Sequence, residues 1–215
     1  MKTLVALALL SAVVATSTAR ASSTASELTP QSLRHAQTIR AELDLRYRVP
    51  RRGGLAVTEA SSTGVVESFT LVTSDLLETR VVPAGNGIYY AVCPARASCP
   101  YPARRHARPA GDLGARRLAL ELAVRTFLET SVDVVAVSLP TVRFIAFIVE
   151  RRELVKEVDL AAVAKALEHG PSQSLSPSVQ AMVDRVTRPW IFVAAGLVTT
   201  TSGRDTWLGL PKWPV

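Results

Sequence analysis

The feature that most constrains this fold is a change of hydrophobic period near residue 55. Before it, Leu33, Ala36, Ile39 and Leu43 recur at helical spacing, with Leu45 and Tyr47 extending the apolar side. Thr29 is suited to cap that helix, and Pro30 falls in the first turn, where a missing N–H costs nothing. Val49-Pro50 and Gly53-Gly54 stop it. From residue 55 to residue 93 the period falls to two, and 55–60, 65–73, 76–82 and 88–93 read as strands. Ser62-Thr63-Gly64, Ser74-Asp75 and Gly85-Asn86-Gly87 separate them. Asn86-Gly87 is the strongest hairpin signal, because a tight turn needs positive φ at its centre, and Asn86 is the only Asn in the chain.

The pattern then alternates in blocks. Residues 94–109 form a loop with four prolines, and a helix is expected from Asp112 to about Thr130. Leu118, Leu120, Leu122, Val124, Phe127 and Leu128 give it a broad apolar surface. Arg117, Glu121, Arg125 and Glu129, each four residues from the next, read as a solvated stripe of ion pairs. Residues 132–139 and 142–150 look like two strands around Pro140-Thr141. The first is nearly continuous in apolar residues, as in a strand covered on both faces. Asp159 caps a helix that Gly170 ends, and Ser176-Pro177 opens another that stops before Pro189. Residues 191–200 and 206–210 close the chain as a strand pair. Runs of strands separated by helices argue α+β over a parallel βαβ sheet. The expected architecture is an antiparallel β-meander plus a second strand group, packed against about four helices.

The first 21 residues read as a leader rather than as fold. Lys2 supplies a positive charge, Leu4 to Ala15 is almost unbroken in apolar residues, and Ala19-Arg20-Ala21 has small residues at the cleavage positions. That run is too short for a membrane span of roughly twenty residues. The expected organisation is therefore a signal peptide at 1–21, a flexible lead-in at 22–28 and a single α+β domain at 29–215, with a sub-division near 94–111 left open. The implied localisation is secreted or extracytoplasmic, in a periplasm or cell envelope.

Behind a leader, Cys93 and Cys99 are most simply a disulfide closing a small loop. The spacing is not a redox pair. Adding His106 gives only three ligands where structural zinc wants four, so no metal and no cofactor is assigned.

Charge concentrates next to that loop. The chain carries 25 Lys+Arg against 18 Asp+Glu, a net +7, of which Lys2 and Arg20 leave with the leader. Arg96, Arg104, Arg105, Arg108, Arg116 and Arg117, with His106 among them, face one acid, Asp112, between residues 96 and 117. Arg46, Arg48, Arg51 and Arg52 make a smaller cluster. Arginine recognises phosphate and carboxylate in bidentate fashion, and a Pro-stiffened segment with several suits a polyanion. The implied partners are an anionic cell-envelope polymer, an anionic membrane surface or an acidic protein. Nucleic acid fits least, with no recognition-helix, RNP or OB signature present. Against all three stands coding bias, since Arg outnumbers Lys 21 to 4.

Catalytic signatures are missing: no G-x-S-x-G elbow, no H-E-x-x-H, no glycine-rich phosphate loop. His35, His106 and His169 have unpromising contexts. Glu59, Glu67 and Glu78 on the strands leave open a secreted hydrolase whose site assembles only in three dimensions. A third reading has Arg96, centred in the disulfide loop, entering the pocket of a trypsin-like protease as an inhibitor. The sequence favours a non-enzymatic envelope or secreted binding module with an Arg-rich loop.

Overall fold

A computed structural model describes residues 28–48, 54–64, 66–72, 79–95, 113–139, 145–172, 174–193, 197–200 and 205–207. Five α-helices and nine strands appear among them: α1 (Pro30–Tyr47), β1 (Leu55–Ser62), β2 (Val66–Val72), β3 (Thr79–Pro83), β4 (Gly87–Pro94), α2 (Leu113–Glu129), β5 (Val134–Leu139), β6 (Ile145–Glu150), α3 (Arg151–Glu157), α4 (Leu160–Leu167), α5 (Pro177–Thr187), β7 (Ile191–Val193), β8 (Leu197–Thr200) and β9 (Asp205–Trp207). The arrangement is α+β. The expected leader and lead-in, apart from Leu28, lie outside the described residues. Among the described residues no helix is long and apolar enough to cross a membrane.

Local chemistry explains the helix starts. The Thr29 hydroxyl accepts the Ser32 N–H, Asp159 accepts from Ala161 and Ala162, and Ser176 accepts from Val179. Each side chain satisfies donors that the helix itself leaves orphaned. Gly170 adopts φ +60 after α4, and a Cβ there would lie 2.5 Å from the Arg46 side chain. Leu45 corrects the expected apolar face of α1, since it is 82% exposed. It stands two residues from Leu43 and two from Tyr47, which puts it on the opposite side of the helix.

The strands pair in the order β1-β4-β5-β6-β7-β2-β8-β9, with β3 on the other edge of β2. The four strands expected in the first group all form, but they do not follow one another as a simple meander. β1 pairs antiparallel with β4, while β2 and β3 pair with each other and join the far wing through β7 and β8. β5 runs parallel to β4 and is reached through α2, so one βαβ crossover sits inside the α+β fold. β5 and β6 form the expected antiparallel pair. Of the single strand expected over 191–200, only β8 pairs with β9, while β7 pairs with β6 and β2.

Asn86-Gly87 is not the centre of a hairpin, because β4 has no pairing with β3. Asn86 is instead buried, and its backbone carbonyl accepts N–H groups from Asp133 at 2.9 Å and Val134 at 3.3 Å. Gly87 is required by close approach rather than by its turn. A Cβ there would meet Thr63 Oγ1 at 2.5 Å and the Ala84 carbonyl at 3.0 Å.

The sheet buries both faces. Ile88, Tyr90 and Val92 of β4, Val135, Val137 and Leu139 of β5, and Phe147 and Val149 of β6 join the helices in the main core. Alternate residues Val134, Ala136, Ala146 and Ile148 face the other way, onto Phe69, Val82 and Ala84 of the β2–β3 arm. This two-sided cover explains why β5 reads as an unbroken apolar run. In β1 an extra residue at Thr58 shifts the register between Val57 and Glu59. The bulge puts Ala60, not Glu59, on the core face. The free edge of β1 is guarded by α1, whose Asp44 carboxylate accepts the Val57 N–H at 2.9 Å.

Candidate functional site

The basic segment lies in sequence between the end of β4 and the start of α2. Cys93 is buried on β4, with the Thr58 hydroxyl 3.7 Å from its sulfur. Cys99, Arg96, Arg104, Arg105, His106 and Arg108 lie outside the described residues.

Arg116 and Arg117 turn inward. They are 7% and 4% exposed, so they belong to the helix core and do not offer the anion-binding surface expected of them. Arg116 Nη1 lies 2.5 Å from Asp184 Oδ1, tying α2 to α5. Arg117 Nη2 donates to the Leu167 carbonyl at 3.2 Å, at the end of α4, where a cation also complements the helix dipole.

The stripe that Arg117 begins is solvated only at its far end: Arg117 and Glu121 are buried, Arg125 is half-buried, and exposed Glu129 makes the expected ion pair with Arg125. Twelve of the 17 residues of α2 are buried, and Glu121 is 1% exposed. The reason is α1, which lies across the stripe. Arg46 Nη1 donates to Glu121 Oε1, and the Tyr47 hydroxyl donates to Glu121 Oε2 at 2.7 Å. Arg125 pairs with Glu42 at 2.7 Å and Glu129 at 2.9 Å. His35 Nδ1 lies 2.9 Å from the Glu129 carbonyl.

Electrostatics follow from this burial. Desolvation pushes the Glu121 carboxyl above its ordinary value, against the opposing pull of Tyr47, Arg46, Arg117 and Arg125. The Tyr47 phenol is also pushed up, by burial first and then by the neighbouring Glu121 charge. A buried carboxylate in a cleft would suggest acid–base chemistry. Here its oxygens are held by Tyr47 and Arg46, which is the geometry of a structural ion pair between helices.

Two further clusters were not legible from spacing. Arg151 donates to the carbonyls of Phe127 at 2.5 Å, Thr130 at 2.6 Å and Val132 at 2.8 Å, and stacks 5.0 Å from the Phe127 ring. It closes the C-terminal end of α2, and burial lowers its pKa against the opposing charge of Asp133. Arg80 lies 4.3 Å over the Trp190 ring and pairs with Glu150 at 2.9 Å, linking the β2–β3 arm to the rest of the fold. Trp190 is itself buried in the main core.

Of the other candidates, Glu59 is exposed opposite Ala91, and His169 is exposed beyond α4. The Glu67 side chain and Glu78 lie outside the description, as do Arg51 and Arg52. Arg48 pairs with Asp44 at 2.8 Å. Among the described residues no group of three or more His, Cys, Asp or Glu could hold a metal ion. No protein family, curated protein or solved structure matches the chain.

Proposed function

We propose that this chain is an exported, non-enzymatic binding module that meets an anionic partner through the Arg-rich segment between β4 and α2. The observation that carries the reading is how the helix arginines are spent. Arg116 and Arg125 face carboxylates and Arg117 faces the end of α4. The positive surplus of the segment therefore falls on residues 96–112, where four arginines stand against Asp112 alone.

Topology supports the same reading. The segment follows the carboxyl end of β4, a strand with a parallel neighbour, and precedes a helix start. Connections in that position are where α/β units commonly meet anionic ligands. A repeating anionic polymer of the cell envelope is the favoured partner, because it offers charge at the several spacings that Arg96, Arg104, Arg105 and Arg108 span. A Cys93–Cys99 disulfide would shorten the free loop and lower the ordering cost of binding. The leader pattern at residues 1–21 supports export.

Retention of the mature chain on an anionic polymer, on anionic vesicles and on an acidic protein column tests the proposal. Salt-sensitive retention on the polymer, lost when Arg104, Arg105 and Arg108 become Ser, is the expected result. Retention unchanged in that variant overturns it.

A further inference from the structure

Asn86 precedes a glycine, the pairing in which an asparagine is most easily attacked by its own backbone. In that reaction the Gly87 nitrogen bonds to Asn86 Cγ, the Cγ–Nδ2 bond breaks, and ammonia leaves. Water then opens the ring to Asp or isoaspartate. The pairing is sterically open because Gly87 carries no side chain, and residue 86 is the only Asn in the chain.

The fold holds every group that this reaction must move. Both protons of the Asn86 amide are engaged, one on the Ser131 carbonyl and one on Asp133 Oδ2, each at 3.0 Å. Ring closure also needs rotation of the Asn86–Gly87 peptide unit. Its carbonyl is held by the Asp133 and Val134 N–H groups, and the Gly87 carbonyl accepts the Thr63 N–H at 3.0 Å. Gly87 itself is wedged against Thr63 and Ala84. Rotation therefore requires the starts of β4 and β5 to separate.

We infer that Asn86 is a latent modification site: native packing suppresses its deamidation, local opening of the β4–β5 start releases it, and the converted chain cannot rebuild this junction. The product explains the last step. An aspartate at 86 turns two donated hydrogen bonds into acceptors facing the Ser131 carbonyl and the Asp133 carboxylate, which repel it.

The full chain is incubated in mildly alkaline native buffer and, in parallel, in guanidinium chloride, and peptide mass spectrometry reads conversion at Asn86. Conversion is expected to be about a hundredfold slower in the folded chain, and rates within about twofold of each other overturn the inference. Asn86→Asp is expected to unfold at lower denaturant than wild type. Combining it with Asp133→Asn, which restores a donor–acceptor pair, is expected to recover part of the loss relative to either change alone. An Asn86→Asp chain as stable as wild type, or a double variant with no recovery, overturns the claim about the product.

Discussion

Tyr47→Phe removes one hydroxyl and little volume, so it isolates the contact between α1 and Glu121. The lost bond is a buried 2.7 Å hydrogen bond to a carboxylate that is itself 1% exposed. A hydrogen bond to a charged group contributes about 1.5–3 kcal/mol, and Arg46 remains to hold the other oxygen. At about 2–4 °C per kcal/mol for a domain of this size, the melting midpoint should fall by about 3–12 °C. Thermal unfolding by circular dichroism at neutral pH reads it. The pH dependence gives a second handle, through Glu121→Gln. Because the folded-state pKa of Glu121 lies above its ordinary 4.5, folding binds a proton there. The stability that Glu121 contributes is fully present below that value and is lost as pH rises through the folded pKa. Wild type should therefore gain on Glu121→Gln at acidic pH and lose ground toward neutrality. A Tyr47→Phe midpoint equal to wild type, or a gap between wild type and Glu121→Gln that widens with rising pH, would refute the reasoning.

Arg151→Ala should cost about 3 kcal/mol or more in urea unfolding, since three carbonyls at the end of α2 lose their donor. Arg151→Lys should recover little, because one ammonium cannot reproduce a planar fork. Gly87→Ala should destabilise by ~1–3 kcal/mol by driving a Cβ into Thr63, and adding Thr63→Ala should relieve part of that. Arg116→Met should cost only about 1–2 kcal/mol, because Asp184 is 31% exposed and rehydrates in part. The same variant should leave retention on an anionic polymer unchanged, since Arg116 is turned into the core.

What could be read in advance was what is local. Thr29-Pro30, Asp159 and Ser176-Pro177 carry their capping chemistry within four residues, and each helix starts where they stand. The β5–β6 pair was legible for the same reason, being joined by a short connection. Pairing across long separation was not legible. β1 chooses β4 over β2, and a short-range turn signal at Asn86-Gly87 says nothing of Ser131 and Asp133, more than forty residues away. The α2 stripe misled because charges four apart look alike whether their partners are water or another helix. Arg46 and Tyr47, which bury Glu121, lie more than seventy residues upstream of it. α3 gave no start signal because it continues directly from β6, where Glu150 provides no side-chain cap bond. For the proposed anion-binding segment, local charge density is the only signal in the sequence, and burial removes Arg116 and Arg117 from it.

The salt dependence of binding to an anionic polymer tests the central claim most directly. Log affinity against log salt should be linear for the wild-type chain, with a slope that reflects the number of polymer charges neutralised. With Arg104, Arg105 and Arg108 changed to Ser, the slope should shrink by about two to three, while Arg116→Met leaves it in place. Equal slopes for wild type and the triple-Ser variant would contradict the account.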